Sequence, residues 1–170
     1  MIKISSLKKE DNLMSQISYL ARIRESLIND QIAKIICDDM GFDYKFLMGV
    51  PIRFEKIDVS AKTVNSNISL NPKLMNKSFE IVMRYVIHEL VHCFQHVKDY
   101  KKKKNNDSKD NEDYLDDKDE IEAFQWQIKY DEESRGEEQV EEYVDDLLEY
   151  HDVPKTERDD KKELFLEKTD

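Results

Sequence analysis

The first forty residues carry apolar side chains at helical spacing. Six apolar residues recur roughly every third or fourth position over residues 11–28 and predict a first helix: Leu13, Ile17, Leu20, Ala21, Leu27 and Ile28. Asn29 or Asp30 can cap a second helix, and Gly41 is placed to end it. That helix turns four apolar residues inward: Ile32, Ile35, Ile36 and Met40. Both helices are predicted to be packing elements without chemistry of their own.

Two short segments in the middle of the chain alternate between apolar and polar residues. Residues 50–58 alternate after Pro51, which predicts a half-buried strand. Residues 64–70 alternate more weakly, and their polar side chains favour a strand at the edge of a sheet. Asn71 and Pro72 then break this strand. The pattern predicts a small sheet next to the helices.

The longest apolar segment predicts a helix from about Asn76 or Ser78 to Val97. Its apolar residues cover more than one face: Phe79, Val82, Met83, Val86, Ile87, Leu90, Val91, Phe94 and Val97. A helix that is apolar almost all round lies at the centre of its domain. The few polar residues on this helix are therefore the informative ones.

The second half of the chain is strongly polar. Residues 98–119 are rich in Lys, Asn and Asp, which predicts a flexible hydrophilic insertion over 98–118. A helix resumes near Asp117. After Gly136 another helix carries an acidic outer face: Glu137, Glu138, Glu141, Glu142, Asp145, Asp146 and Glu149. Pro154 ends it, and residues 151–170 are predicted to be a charged tail.

The composition is acidic, since 27 Lys and Arg against 38 Asp and Glu give a net charge of −11. This balance argues against nucleic-acid and anionic-membrane partners, because binding phosphate requires basic surfaces. No apolar run reaches the length of about 18 residues that spans a membrane, and the N-terminus lacks the apolar core of a signal peptide. Cys37 and Cys93 lie among apolar residues, which favours buried thiols over a disulfide. We therefore expect a soluble cytoplasmic protein.

Three of the four histidines lie on the central helix, and His88-Glu89-Leu90-Val91-His92 forms an H-E-x-x-H motif. His88 and His92 lie one turn apart, about 6 Å along the axis, so their imidazole nitrogens can converge on one zinc ion at about 2.0–2.1 Å. Glu89 projects near the open coordination position. There it can take a proton from metal-activated water and pass it to a leaving amine.

A catalytic zinc site needs a third protein ligand. His96 lies about 12 Å along the helix from His88, too far to share one metal with it, and is interpreted as a surface or helix-end histidine. The next helix offers Glu120 and Glu122, about 200° apart around the axis, so only one can face the metal. Glu120 is preferred, because Ala123 beside it allows the two helices to approach closely. Glu122 stays the alternate third ligand, and the carboxylate that does not bind is a solvent charge or a partner of a ligand histidine.

These residues resemble the gluzincin clan of zinc metallopeptidases, in which H-E-x-x-H is followed by a helix with an E-x-x-A or E-x-x-x-D pattern. The pattern here is Glu120-Ile121-Glu122-Ala123. The short chain and the two strands before the motif helix further resemble minigluzincins, ImmA/IrrE-type peptidases and small phage-encoded metallopeptidases. The resemblance covers roughly residues 50–130. Two departures stand out: Phe124 replaces the Asp or Asn of many relatives, and the spacer between the two motifs is long.

The resemblance implies an α+β, zincin-like catalytic domain over residues 1–150. Its order is N-terminal helices, a small sheet with an edge strand, the central H-E-x-x-H helix, a glutamate-bearing helix and an acidic C-terminal helix. It implies a zinc metalloendopeptidase whose site residues are three metal ligands and a general base: His88, His92 and Glu120, with Glu89 as the base. The edge strand would pair with an extended peptide substrate. The donor that stabilises the tetrahedral intermediate stays open among four residues: Tyr85, Tyr130, Tyr143 and His151.

Three other interpretations are compatible with the motif. A DNA-associated protease of the SprT/Spartan type also carries H-E-x-x-H, but it needs basic or zinc-ribbon modules, and the chain has no Cys-x-x-Cys. An interaction protein could keep the zincin fold and bind partners through its acidic helix, residues 137–150. A latent enzyme could cover its cleft with the acidic C-terminal segment or with residues 98–119.

Overall fold

The computed structural model describes residues 4–102 and 114–169, and the side chains of 12–99 and 114–169. The chain is α+β: within the described residues, seven α-helices accompany a small three-stranded mixed sheet. In chain order the elements are α1 (Ile4–Asn29), α2 (Gln31–Met40), α3 (Phe46–Gly49), β1 (Ile52–Phe54), β2 (Ala61–Val64), β3 (Asn67–Leu70), α4 (Phe79–Lys102), α5 (Lys118–Arg135), α6 (Glu137–Tyr150) and α7 (Arg158–Leu166). A 3-10 helix, Pro72–Asn76, joins β3 to α4.

The second helix begins and ends where its capping residues predict. The Asp30 carboxylate accepts a hydrogen bond from the Ala33 amide at 2.8 Å. Gly41 ends α2 with a φ of 75°, a left-handed conformation that glycine adopts without a steric penalty. The preceding helix α1 contributes Ile23 and Leu27 to the core, and both are fully buried. α1 contacts β1 and α2 contacts α4, so these helices support the elements that carry the site.

The sheet corrects the predicted position of the edge strand. The sequence predicts one edge strand over 64–70, but the structure divides this segment into the end of β2, a turn and β3. The turn contains Asn65 and Ser66, whose φ angles of 50° and 60° suit a tight hairpin. The strand order is β1-β3-β2, with β3 parallel to β1 and antiparallel to β2. β3 is therefore central, with Ile68 and Leu70 fully buried, and β1 and β2 are the two edge strands within the described residues.

Two other elements differ from their predicted lengths. The strand predicted over 50–58 is shorter, since β1 has three residues. The central helix α4 continues past its predicted end to Lys102. The hydrophilic insertion predicted over 98–118 therefore begins inside a helix, and its residues 103–113 lie outside the described residues. α5 begins at Lys118, close to the predicted position.

The centre of the fold is the contact between α4 and α5. α4 is buried along much of its length, as its apolar sequence predicts, and Ala123 and Trp126 of α5 belong to the same core cluster. Arg84 of α4 and Asp131 of α5 form an ion pair at 3.2 Å, and Asp131 is fully buried. Arg135 also pairs with Asp131, at 3.0 Å. Because a buried carboxylate is costly unless paired, this cluster favours one alignment of the two helices.

The C-terminal segment is folded, which differs from the predicted charged tail over 151–170. Helix α7 packs against both α5 and α6. Phe165 is fully buried in a second apolar cluster that also contains Phe124. Gln125 of α5 donates a hydrogen bond to the Leu164 carbonyl at 2.8 Å. The charged composition conceals this helix, because Phe165 is the one fully buried side chain among its nine residues.

Two further expectations from the sequence concern membrane-spanning helices and the state of the two cysteines. No helix among the described residues is long and apolar enough to cross a membrane. Cys37 and Cys93 are both free and buried, which confirms the predicted buried thiols. Burial raises the pKa of Cys37 to about 11 and the pKa of Cys93 to about 12. Neither thiol is therefore activated as a nucleophile at neutral pH.

Replacing Phe165 by Ala tests whether α7 is part of the fold. Removing this fully buried ring should lower the free energy of unfolding by about 3–5 kcal/mol, because it leaves a cavity in the second apolar cluster. Urea unfolding followed by Trp126 fluorescence measures the change. Leu164→Ala is the matched control on the exposed side of α7 and should cost less than about 1 kcal/mol. Equal losses in the two variants would contradict the docking of α7.

Candidate metal centre

His88 and His92 converge because α4 is continuous through the motif. Their Nε2 atoms lie 3.1 Å apart. Both side chains are largely buried, with exposed fractions of 8% and 14%. Glu120 reaches the same point from α5, and its Oε2 lies 3.3 Å from each histidine Nε2. Of the two carboxylates that the sequence offers, Glu120 is therefore the one brought to the histidines.

The local sequence at the start of α5 determines where Glu120 lies. Asp117 is the N-cap, and its carboxylate accepts a hydrogen bond from the Asp119 amide at 2.8 Å. Glu120 consequently falls in the first turn, where the helix N-terminus favours a negative charge. Ala123 is fully buried, and its small side chain lets α4 approach at this level. The cap, the carboxylate and the small residue together bring Glu120 to the histidines.

The three donor atoms have the spacing expected around one metal ion. With bonds of about 2.0–2.1 Å, neighbouring ligand atoms around a tetrahedral zinc lie about 3.3 Å apart. The observed separations are 3.1, 3.3 and 3.3 Å. Glu120 Oε2 is buried, and apart from the two imidazoles it has no hydrogen-bond partner within the part of the chain that the structure describes. Two imidazoles and one carboxylate are a donor set that zinc accepts, so these residues fit a divalent cation of that kind.

The electrostatics of the three residues favour added positive charge. Burial alone would raise the pKa of Glu120, but the hydrogen bonds and charge of His88 and His92 lower that pKa far below its usual range. Burial lowers the pKa of His92, and interactions with Glu120 outweigh it, so the net pKa of His92 is raised. The centre therefore favours an added positive charge, either a proton on His92 or a metal cation.

Gln95 determines which nitrogen of His92 carries a proton. Gln95 Nε2 donates to the Asp119 carbonyl and to the Glu122 carboxylate, both at 2.9 Å. Both partners are acceptors, so the amide orientation is fixed and Gln95 Oε1 faces His92 Nδ1 at 2.7 Å. His92 Nδ1 must then carry the proton and donate this hydrogen bond. When the ring is neutral, the lone pair of His92 Nε2 is therefore directed at His88 Nε2 and Glu120 Oε2. Glu122 thus orients a ligand-type histidine through Gln95.

His88 is held by packing instead. The Phe124 ring meets the His88 ring edge-on, with 4.7 Å between ring centroids. His88 Nδ1 is buried and has no hydrogen-bond partner among the described residues. Phe124 occupies the position at which the gluzincin resemblance leads one to expect Asp or Asn. Here that position fixes the ring sterically and supplies no proton acceptor.

Glu89 lies beside the donor atoms and is held by the edge strand. Thr63 of β2 places its Oγ1 2.7 Å from Glu89 Oε2 and 3.0 Å from the Glu89 carbonyl oxygen. One hydroxyl has one proton, and the shorter distance favours donation to Oε2. This contact holds one carboxylate oxygen and leaves Oε1 as the oxygen that can exchange a proton. Glu89 is 7% exposed, so it is shielded but accessible.

An open cleft of about 640 Å³ runs past His88 and Glu89. Its walls come from the segment leading into β2 and from α4, α5 and α6. The sequence-predicted donors that line it are Tyr85, Tyr143 and His151, whereas Tyr130 is not part of its lining. Burial raises the pKa of Tyr143 to about 12, and its hydroxyl accepts a hydrogen bond from Gln127 at 2.6 Å. Tyr143 therefore stays a neutral hydroxyl donor at physiological pH.

Sequence reasoning missed Tyr114, which also lines the cleft. Its ring stacks on His151 with 5.4 Å between centroids. Burial raises the pKa of Tyr114, and the nearby Glu120 carboxylate raises it further. The sequence contained one indication of its position, since Tyr114 and Leu115 are adjacent apolar residues inside an otherwise hydrophilic segment. Leu115 is buried.

Gln95 and Thr63 were also missed, for different reasons. Gln95 lies three residues after His92 on the same helix face, so its contact could have been inferred from helical geometry. Thr63 is 26 residues from Glu89, and no local pattern pairs them. His96, by contrast, is exposed on α4, in agreement with its interpretation as a surface histidine.

Comparison with known proteins adds no relative. No protein-family model, curated protein or solved structure matches this chain. The geometry of the centre and the two motifs are therefore what can be used to infer its chemistry.

Replacing Glu120 by Gln tests the centre directly. Gln keeps the shape of the side chain but removes the charge, so affinity for zinc should fall more than about 100-fold, because even partners of metal ligands typically contribute 10–100-fold. Elemental analysis and chelator competition measure zinc content and affinity. Glu122→Gln is the matched control and should stay within about tenfold of the wild type. Zinc loss in Glu122→Gln alone, or a wild type that cannot be loaded, would contradict this centre.

Replacing Gln95 by Leu tests the orientation of His92. The variant removes the acceptor for Nδ1, so zinc affinity should fall about 10–100-fold while the ligands stay in place. Chelator competition measures the affinity. Gln125→Leu is the control, because Gln125 is equally buried on α5 but bonds to α7. It should lose stability and keep its affinity for zinc, and an unchanged affinity in Gln95→Leu would show that Gln95 does not orient His92.

Proposed function

We propose that the chain is a zinc-dependent metallopeptidase with a zincin-like fold and gluzincin-type ligands. The observation that carries the proposal is the convergence of His88 Nε2, His92 Nε2 and Glu120 Oε2 at 3.1–3.3 Å from one another. Glu89, held beside them in an open cleft, supports a hydrolytic role rather than a closed structural metal site. The α+β arrangement of a small sheet, a motif helix and a glutamate-bearing helix supports the zincin-like fold.

Each residue of the centre has a distinct role in the proposed hydrolysis. His88, His92 and Glu120 hold the zinc ion, which when bound polarises a peptide carbonyl and acidifies a water. Glu89 is the general base: its Oε1 takes a proton from the attacking water and returns it to the leaving amine. Thr63 holds the other carboxylate oxygen, so the base keeps its orientation while it exchanges the proton. Glu89 receives one proton and returns one, and it ends the cycle unchanged.

The edge of the sheet supplies a place for an extended peptide. Among the described residues, β2 is paired with β3 on one side and has no strand on the other. Val59 and Ser60, which precede β2, and Ala61, its first residue, line the cleft. A peptide that pairs its main chain with this edge would run along the cleft past Glu89. Tyr143 on the α6 wall supplies a hydroxyl donor for charge that develops on the carbonyl oxygen.

A binding protein that keeps the metal centre is the alternative function. The exposed acidic residues of α6 favour it: Glu137, Glu138, Glu141, Glu142, Asp145, Asp146 and Glu149. Zinc binding without hydrolysis of any peptide would support that alternative. A DNA-associated protease gains no support, because no Lys or Arg among the described residues lines the cleft. Latency through the C-terminal segment gains none either, since no described residue beyond His151 lines it.

Replacing Glu89 by Gln separates metal binding from hydrolysis. The variant should keep zinc, because Glu89 is not one of the three donors, and its kcat should fall about 100- to 10,000-fold through loss of the general base. Cleavage of fluorescently labelled casein by the zinc-loaded protein measures the activity.

Glu80→Gln is the matched control for this experiment, since Glu80 is an exposed acid on the same helix. Its activity should match the wild type. Full activity in Glu89→Gln would overturn the mechanism. A zinc-loaded wild type that cleaves no protein or peptide over a range of pH would overturn the peptidase and favour the binding protein.

A further inference from the structure

Helix α6 forms one wall of the cleft through residues spaced at i, i+3, i+4 and i+7: Tyr143, Asp146, Leu147 and Tyr150. The sequence pattern assigns Asp146 to the acidic outer face of α6. In the structure Asp146 is solvent-exposed and also lines the cleft, so it lies at the boundary between the outer face and the wall. Its carboxylate can therefore meet whatever occupies the cleft.

Among the described residues Asp146 is unpaired, unlike the adjacent Asp145 and the next acid along the helix, Glu149. Asp145 pairs with Lys162 at 2.9 Å, and Glu149 lies 3.9 Å from Arg158. Asp146 has no hydrogen bond or ion pair within the part of the chain that the structure describes. No Lys or Arg among the described residues lines the cleft. A cation that approaches Asp146 along the cleft thus meets no competing Lys or Arg side chain among the described residues.

The surroundings of Asp146 suit a long basic side chain. Tyr143 and Tyr150 line the cleft one turn before and one turn after it, and Tyr150 is 82% exposed. Lys and Arg pack their apolar stems on such surfaces while the charged end reaches a carboxylate. The exposed ring of Tyr150 also attracts the cation directly, whereas the Arg84 guanidinium already covers one face of the Tyr143 ring at 4.3 Å, so Tyr143 contributes packing surface. Acidic side chains would be repelled here, both by Asp146 and by the net charge of the chain.

We propose that Asp146, Tyr143 and Tyr150 form a subsite that selects peptides with a Lys or Arg side chain near the scissile bond. This inference rests on the proposed peptidase function and names its substrate class. Asp146 acts on specificity alone, since the metal donors and Glu89 do not contact it in the structure. Exchanging its charge should therefore change which peptide is preferred and leave zinc content unchanged.

The test uses a set of nonapeptides and the zinc-loaded full-length protein. Each peptide carries Lys, Gln or Glu at one internal position, with mixed Ala, Ser, Leu and Tyr elsewhere, and cleavage is followed by mass spectrometry. Binding is measured separately by fluorescence anisotropy of labelled peptides on zinc-loaded Glu89→Gln. The variants are Asp146→Asn and Asp146→Lys, each made in the wild-type chain and in the Glu89→Gln chain. Glu142→Lys is the matched control, because Glu142 is exposed one turn earlier on α6 but does not line the cleft.

At one or two peptide positions the wild type should prefer Lys over Glu by about three- to tenfold in kcat/KM, and binding to Glu89→Gln should show the same order. Asp146→Asn should reduce this preference to within about twofold. Asp146→Lys should invert it, and Glu142→Lys should preserve it. Zinc content should be the same in all variants.

Two outcomes overturn the subsite while leaving the peptidase intact: cleavage without charge preference, or equal effects of Asp146→Lys and Glu142→Lys. Failure of the peptidase is distinguished by the binding measurement. If no peptide is cleaved, a Lys preference in binding that Asp146→Lys inverts still supports the subsite. If no peptide is cleaved and none binds with charge preference, both proposals fail.

Discussion

The contact between α4 and α5 is the constraint on which the rest of the structure depends. Arg84 and Asp131 join the two helices inside this contact, and His92 and Glu120 meet further along it. Because the partners of successive α4 residues run backwards along α5, the helices are antiparallel. A slip of one residue would shift a side chain by about 1.5 Å and rotate it by about 100°. The Arg84–Asp131 ion pair and the contacts of Glu120 with the histidines therefore form together only in the observed register of the two helices. The small, fully buried side chain of Ala123 allows the close approach that this register requires.

The parts of the site that could be predicted from sequence are those fixed within one helix. His88 and His92 meet because four residues make one turn, and Glu120 is separated from Glu122 by the same periodicity. The capping residues behave similarly, since an N-cap such as Asp117 acts on amides only two or three residues away. Local geometry of this kind survives folding unchanged. The helices of the α+β class and the convergence of the two histidines follow from it, whereas the choice of Glu120 over Glu122 depends on how α5 packs on α4.

The parts that could not be predicted depend on contacts between distant residues. The identity of the edge strand depends on a hairpin turn at Asn65 and on which strand lies between the other two. Helix α7 docks through Phe165, although its sequence is charged enough to suggest a tail. The opposite error occurs at Leu13. It belongs to the apolar pattern that predicts the first helix, but it is 57% exposed. Apolar periodicity predicts that a helix forms, whereas burial also requires another element to cover it.

The acidic side chains of this fold differ in whether a basic residue of the chain neutralises them. Asp131 is fully buried, and two arginines of the chain itself neutralise it, so its charge is satisfied without a ligand. Glu120 is also largely buried, but it faces two imidazoles, which can themselves act as metal donors. A cation held there would bridge α4 and α5, and its binding free energy would add to the stability of the contact that aligns them. The same contrast recurs on α6, where Asp145 is paired by Lys162 and Asp146 is left to the cleft. Asp131 and Asp145 are thus neutralised by basic residues of the chain, whereas Glu120 and Asp146 have no Lys or Arg partner among the described residues and face the histidines and the cleft respectively.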